Sequence, residues 1–231
     1  MMDQRTAVLR FPAMYVGSTN QIPQQKELYD LKTKTNYNDI ILFPQGAEQI
    51  FLEILDNAVD AILDQKGDKI DIIMDNNKVS ITNYGCMIPI EVHPTSGIYT
   101  PELCFGTFNV SRNYNTLGNG PQRHNGCGSK TANVFSKLFD VVICDHNKQL
   151  KYSQKWTDNM INCEQPIIEK YLGNVSFVQV SYQMDFEIFG YQTTGCGIYP
   201  PEALSLFAKH ALNKSIDHQI PITFNGCELN S

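Results

Sequence analysis

Residues 46–65 read GAEQIFLEILDNAVDAILDQ, and the stretch Glu53-Ile54-Leu55-Asp56-Asn57-Ala58-Val59-Asp60 inside it decides how the rest of the chain is read. At about 100° per residue, with Glu53 as zero, Asn57 falls near 40° and Asp60 near −20°, while Phe51, Leu55, Ala58, Val59 and Ile62 fall between about 140° and 240°. The segment is therefore a helix with one carboxylate-and-amide face and an opposite core face. That pattern fits the solvated side of an ordinary amphipathic helix. It also fits a carboxylate placed for general-base work beside an oxygen ligand for Mg²⁺, a hard ion that takes few protein ligands and fills its shell with phosphate and water. The face carries Glu53, Asp56 and Asp60 with no Lys or Arg in the segment to pair with them. Plain surface helices mix signs, so the functional reading gains weight.

After this helix, residues 69–75 and 79–83 are short β-type runs joined by Asp75-Asn76-Asn77, a hairpin signal. The second run ends in Ile81-Thr82-Asn83-Tyr84-Gly85-Cys86-Met87-Ile88-Pro89. Asn83 carries both a donor and an acceptor and can match a base edge, and Gly85 allows a turn; the same residues also serve plain turn chemistry. Residues 107–127 are rich in Gly, Asn, Thr and Ser and read as a long loop. They lead into Asn125-Gly126-Cys127-Gly128-Ser129-Lys130 and a helical pattern over 129–137. Glycines before a helix N-terminus allow close approach of a phosphate to free N–H groups, although a flexible loop capping a helix has the same composition. Ser129 stands where a P-loop needs Gly directly before its Lys, and no strand feeds the loop as a dinucleotide fingerprint requires.

Further out, strand-like runs cover 138–145, 149–156 and 174–183, a helix with Pro in its first turn covers 201–213, and residues 222–224 followed by Asn225-Gly226 open a last hairpin. Residues 18–44 read as a long irregular connection. Helices interleaved with mostly antiparallel strands predict an α+β chain, a two-layer α/β sandwich with helices on one face of a mixed sheet.

Composition agrees with one globular unit. The chain has 231 residues, 42% hydrophobic and 18% charged, and 18 Lys and Arg against 24 Asp and Glu give a net charge of −6. This apolar content excludes intrinsic disorder, and no run approaches the roughly 18 apolar residues of a membrane span. The start, MMDQRTAVLRF, lacks the apolar core of a secretory signal. A pI near 5.3 argues against the chain gripping nucleic acid by itself. Seven cysteines, none spaced C-x-x-C, read as reduced thiols of an intracellular protein, in cytoplasm or nucleus, rather than as a zinc or disulfide framework.

Taken together and in order, the three segments resemble the ATPase domain of type IIA DNA topoisomerases, within the superfamily of gyrase, heat-shock-90, histidine-kinase and MutL ATP-binding domains. Glu53 to Asp60 resembles the first box, Asn83 to Pro89 the second, and Gly126-Cys127-Gly128-Ser129-Lys130 the glycine box behind the ATP lid. Pro12-Ala13-Met14-Tyr15-Val16-Gly17-Ser18, Tyr99-Thr100-Pro101-Glu102-Leu103-Cys104-Phe105-Gly106, Ser111-Arg112-Asn113-Tyr114, Gln154-Lys155-Trp156-Thr157-Asp158-Asn159-Met160 and Phe224-Asn225-Gly226 point to topoisomerases; the alternative, a chaperone, mismatch-repair or sensor-kinase module, would lack the first two of these segments. The lid and Trp-x-Asp-Asn-Met segments are similar to eukaryotic and viral enzymes, the first box also to phage and bacterial ones, which leans the source to a virus or phage.

The resemblance implies a Bergerat-type ATP-binding fold, with residues 1–231 as a single domain, residues 1–9 as a short N-terminal arm and 107–127 as the ATP lid. It implies ATP and Mg²⁺ as cofactors. Glu53 would orient and deprotonate the attacking water, Asn57 would hold Mg²⁺ and Asn83 would read adenine. Ser111, Arg112 and Asn113 would contact the nucleotide from the lid. Asn125, Gly126, Cys127, Gly128 and Lys130 would cradle the phosphates, with Ile88, His124 and Ser129 among the nucleotide-binding positions. It further implies an ATP-driven dimer gate in a DNA double-strand-passing enzyme. The γ-phosphate-sensing lysine, the transducer and the DNA-cleaving domains would lie beyond residue 231, so the chain alone is expected to be a weak or inactive ATPase. Homodimerisation, which in relatives uses a longer arm, is expected of the full-length enzyme, and DNA would be met through the other domains. Three positions depart from the family pattern: Met87 stands in place of a second Gly, Val178 where a hydroxyl is common, with Ser176 as the nearest alternative, and Arg112 replaces a small residue in the lid, where it would add a phosphate contact.

Overall fold

The computed structural model describes residues 2–108, 128–192 and 197–229. The chain opens with helix α1, Gln4–Arg10, whose N-cap Asp3 accepts a hydrogen bond from the Thr6 N–H at 2.9 Å and whose Val8 is buried. A hairpin of β1, Gln24–Asp30, and β2, Thr35–Ile41, follows where an irregular connection was expected. The reason is visible in the burial: every residue of β2 except Ile41 is exposed, so the strand has no hydrophobic alternation by which to announce itself. The hairpin is held instead by Leu28 and Tyr29, buried in the main core, and by Lys209 reaching Glu27 at 2.9 Å and Asn36 at 3.0 Å.

Helix α2, Gln45–Gln65, is the expected amphipathic helix, with Phe51, Leu55, Ala58, Val59 and Ile62 all buried. It ends at Lys66 in the left-handed conformation. Strands β3, Lys69–Met74, and β4, Val79–Tyr84, form the expected hairpin, closed by the Asp75 N–H on the Lys78 carbonyl at 2.9 Å. Two short helices come next in the described chain, α3, Thr100–Phe105, and α4, Gly128–Val134. The rest comprises β5, Ser136–Asp145; β6, Leu150–Thr157; β7, Asn162–Cys163; β8, Ile167–Lys170; β9, Phe177–Met184; α5, Pro201–His218; β10, Ile222–Phe224; and β11, Cys227–Glu228.

Among the described residues these strands form one sheet in the order β11-β10-β3-β4-β9-β5-β6-β7, with β8 also on β6. Every pairing is antiparallel except β10 with β3. The helices cover one face. Phe51 of α2 stacks on Phe207 of α5 with ring centroids 4.1 Å apart, and Phe43 meets the same ring edge-on at 5.6 Å. The other face carries polar cross-strand pairs: Ser80 with Ser181 at 2.8 Å, the Gln179 amide donating to Thr82 at 3.0 Å, and Lys78 with Asp140 at 3.3 Å. No helix among the described residues is long and apolar enough to cross a membrane.

The helix expected over 129–137 stops at Val134, because the chain turns directly into β5. Asn159 takes up the freed end, donating from Nδ2 to the Val134 carbonyl and to Asp185, each at 3.0 Å. Asp158, Asn159 and Met160 all have φ between 53° and 63°. Each left-handed non-glycine residue costs about 1 kcal/mol, and the buried Asn159 amide and the ladder around it offset that strain.

Candidate functional site

The polar face of α2 looks toward the N-terminus of α4. Glu53 accepts a hydrogen bond from Gln49 Nε2 at 2.8 Å through Oε1, and its Oε2 lies where a Cβ on Gly128 would sit, at 1.7 Å. Only glycine fits at 128 without displacing that carboxylate. A carboxylate, a bare peptide and a helix N-terminus thus share one corner, and the free N–H groups of such a terminus suit phosphate oxygens. Asn57 lies one turn along the same face and lines the adjoining cleft. The sequence offered no cation within α2 for its acidic face; the fold supplies one from outside, with Lys214 of α5 2.6 Å from Asp56.

The cleft is otherwise apolar. Ile54 and Ala58 of α2, Ile81 of β4, Phe105 of α3 and Val178 and Val180 of β9 are among its walls, with Ile88 and Met87 at the second-box turn. Asn83 faces into it from β4, only 5% exposed, and among the described residues its Nδ2 has no full hydrogen-bond partner, only a weak contact with the Cys86 sulfur. An unpaired amide this deep costs about 1–3 kcal/mol, so a site that keeps one is suited to a ligand that completes it. Gly85, with φ +78°, makes the turn after β4. Cys86 behind it is fully buried, and burial pushes its thiol above the ordinary range.

Met87 stands in the cleft wall, and its backbone is clamped: the Met87 N–H donates to Gln65 Oε1 at 2.9 Å and Gln65 Nε2 donates to the Met87 carbonyl at 3.1 Å. Ser176 does not reach the cleft. It precedes β9, and its hydroxyl meets the His146 backbone N–H at 3.1 Å and ring Nδ1 at 2.7 Å. Val178, directly opposite Asn83 in the β4–β9 ladder, holds the wall position.

Ser129 and Lys130 are buried in α4, and Ser129 Oγ lies 3.5 Å from the Cys104 carbonyl. Asn133 fixes α4 to α3 by donating from Nδ2 to the Phe105 carbonyl at 3.0 Å. Gln154 ties α3 to the sheet, donating to Glu102 and to the Glu164 carbonyl, each at 3.0 Å. Gln65, Asn133 and Asn159 were not singled out as positioning residues by sequence reasoning. Their amides act at a distance in the chain, and no local spacing encodes that. Of the other expected site residues, Ser111, Arg112, Asn113, His124, Asn125, Gly126 and Cys127 lie outside the described residues. Among the described residues no group of three His, Cys, Asp or Glu is disposed to hold a metal.

A helix-faced antiparallel sheet with a carboxylate-and-amide helix set against a glycine-started helix is the architecture of an ATPase domain, and solved structures bear this out. The ATPase region of Saccharomyces cerevisiae topoisomerase II superposes with a TM-score of 0.89 at 29% identity, covering 100% of this chain and 61% of that one. The ATPase and transducer domains of DNA topoisomerase II from Balamuthia mandrillaris give 0.87 at 26%, covering 100% and 60%. In sequence, the chain is 33% identical over 196 residues to DNA topoisomerase 2 of Saccharomyces cerevisiae, and 34% identical over 197 residues to the probable DNA topoisomerase 2 of Dictyostelium discoideum. These alignments cover 82% of the chain but only 14% and 12% of those proteins. No model of a protein family matches. By sequence and fold the chain belongs with the ATPase regions of type II DNA topoisomerases.

Proposed function

We propose that the chain binds ATP with Mg²⁺ and acts as the ATP-hydrolysing module of a DNA-strand-passing enzyme. The observation that carries this is the cleft itself: an apolar slot with one amide, Asn83 Nδ2, unpartnered among the described residues, and with Asn57 in its wall one turn along α2 from Glu53, which meets the bare peptide of Gly128. The slot suits a purine ring and the corner suits phosphates. Asn83 supplies the base contact. Glu53, held by Gln49, accepts a proton from the attacking water and orients it. The N-terminus of α4, with Lys130 in its first turn, neutralises phosphate charge. Asn57 is the side chain that would hold Mg²⁺, whose chemistry there would be to offset phosphate charge; a single protein oxygen fits an ion that takes few protein ligands. Positioning and charge stabilisation do most of this chemistry, so a rigid corner matters more than a strongly perturbed acid or base.

Dimerisation on ATP and passage of DNA belong to the larger assembly that the related proteins represent, of which the matched chain spans about 14% or less. The test is calorimetric titration with a non-hydrolysable ATP analogue, with and without Mg²⁺, for the chain and for Asn83→Ala. Binding in the range of about 1–100 μM, which is about −8 to −5.5 kcal/mol, that needs Mg²⁺ and weakens in the variant is the expected result. Absence of binding in the unmodified chain would overturn the proposal.

A further inference from the structure

Among the described residues, one polar side chain of the cleft is open to a base edge. This inference rests on the proposed nucleotide site and concerns which bases that site accepts. Among the described residues three amide side chains line the cleft, Asn57, Gln65 and Asn83. Gln65 is spent on both backbone groups of Met87. Asn57 lies on the Glu53 face of α2, at the end assigned to phosphate and metal. That leaves Asn83, with Nδ2 unpaired. Its cross-strand neighbour Val178 and the next pair, Ile81 with Val180, present only hydrocarbon. The hydroxyl nearest Val178 in the chain, that of Ser176 just before β9, is engaged with His146. Cys86 beside Asn83 directs its thiol to the Tyr84 carbonyl, 3.7 Å away, and is only a weak partner for the Asn83 amide.

A carboxamide carries a donor and an acceptor side by side, and a half-turn of the side chain exchanges them. In one orientation Asn83 accepts from an adenine 6-amino group and donates to N1. In the other it donates to a 6-oxo group and accepts from an N1–H. Both pairings satisfy the same number of hydrogen bonds. Discrimination between them would need a second polar group fixed at the base edge, and Val178 does not supply one. We propose that the cleft selects purine nucleoside triphosphates without distinguishing a 6-amino from a 6-oxo purine.

Inosine triphosphate is the probe, because it changes only the 6-position and N1 and adds no 2-amino group. The experiment is calorimetric titration of the unmodified chain with the β,γ-imido analogues of ATP and of inosine triphosphate, both with Mg²⁺. The expected result is dissociation constants within about tenfold of each other, where a site built around one hydrogen-bond pattern rejects the mismatch by orders of magnitude more. In Asn83→Ala both affinities should fall in the same proportion, by about tenfold or more. A preference for ATP greater than tenfold, or an inosine affinity untouched by Asn83→Ala, would overturn this inference while the nucleotide site stood. Binding of neither analogue would remove the functional reading and the inference together. The ratio measured on the unmodified chain decides the matter even if the variant does not fold.

Discussion

Glu48 and Glu53 lie little more than a turn apart on α2, and the fold uses them in opposite ways. Glu48 is buried and fully spoken for: Lys26 donates to both of its oxygens at 2.8 and 3.0 Å, and His210 Nε2 lies 2.7 Å from Oε1. Burial alone would push its carboxyl up, but the contacts with His210 and Lys26 outweigh that and hold it below the ordinary value. Among the described residues Glu53 has one neutral amide donor, Gln49, on one oxygen, and the other oxygen is turned to the bare peptide of Gly128. One carboxylate fastens the β1–β2 hairpin and α5 to α2. The other is left chemically available. On a helix that carries both, the number of partners separates a structural acid from a working one better than burial or sequence spacing does.

The largest effect that would break this contrast is on chemistry. Glu53→Gln keeps the shape and the Gln49 contact but removes the base, so any ATP hydrolysis by the chain, or by an assembly containing it, should fall by about 10²–10⁴-fold. Analogue affinity should stay within about threefold and thermal stability within about 0.5 kcal/mol. Single-turnover hydrolysis beside calorimetry checks this. Hydrolysis at the original rate would mean that Glu53 is as structural as Glu48.

The reciprocal change acts on stability. Glu48→Ala leaves Lys26 and His210 without their carboxylate at a mostly buried site, at a cost of about 2–3 kcal/mol. For a chain of this size that lowers the melting midpoint by roughly 5–10 °C. Analogue binding to the folded fraction should be unchanged, because none of the three groups lines the cleft. A loss of affinity with no loss of stability would reverse the assignment.

The same triad sets a pH dependence with a definite sign. The Glu48 carboxyl is held below its ordinary value of 4.5 in the folded state, so the unfolded chain takes up the proton first as pH falls. Its contribution is complete above the unfolded value and is lost as pH drops through the folded one. Melting midpoints should fall with acid below about pH 4.5, and more steeply in the parent than in Glu48→Gln, which has no carboxyl to protonate there. Parallel curves for the two proteins would show that Glu48 carries no such linkage.

How much of this was legible beforehand follows from the range of the signals. The α2 helix, the β3–β4 hairpin and α5 announce themselves through local period, and the corner made by Glu53 and Gly128 was implied by resemblance to a family. The β1–β2 hairpin did not show, because its outer strand is exposed along almost its whole length and its stability comes from α5, which lies far along the chain. The helix after the glycine box was read too long for a related reason. Residues 135–137 continue a helical pattern, yet Asn159 closes α4 at Val134 from a turn that has no periodicity at all. The Ser176 alternative fell to register: a hydroxyl just before β9 does not take the place of one within it.

The smallest expected effect tests a contact of that long-range kind. Gln65 is the last residue of α2, and its amide pairs with both backbone groups of Met87, so it fixes the second-box turn to the helix that carries Glu53 and Asn57. The pair is largely exposed, and water can replace each hydrogen bond in the variant, so Gln65→Ala should cost no more than about 0.5 kcal/mol in stability. What the variant loses is position. With the turn free to shift, Met87 and Ile88 no longer hold one wall of the cleft at a set distance from Asn83, and ordering that wall again must come out of the binding energy. Analogue affinity should therefore weaken by about three- to tenfold, a loss of roughly 0.7–1.4 kcal/mol, with Gln65→Glu intermediate because it can still accept from the Met87 N–H. Equal losses in stability and affinity would make Gln65 one more fastening of the Glu48 kind. A loss of affinity larger than the loss of stability would place it with Glu53, as a residue kept for the ligand.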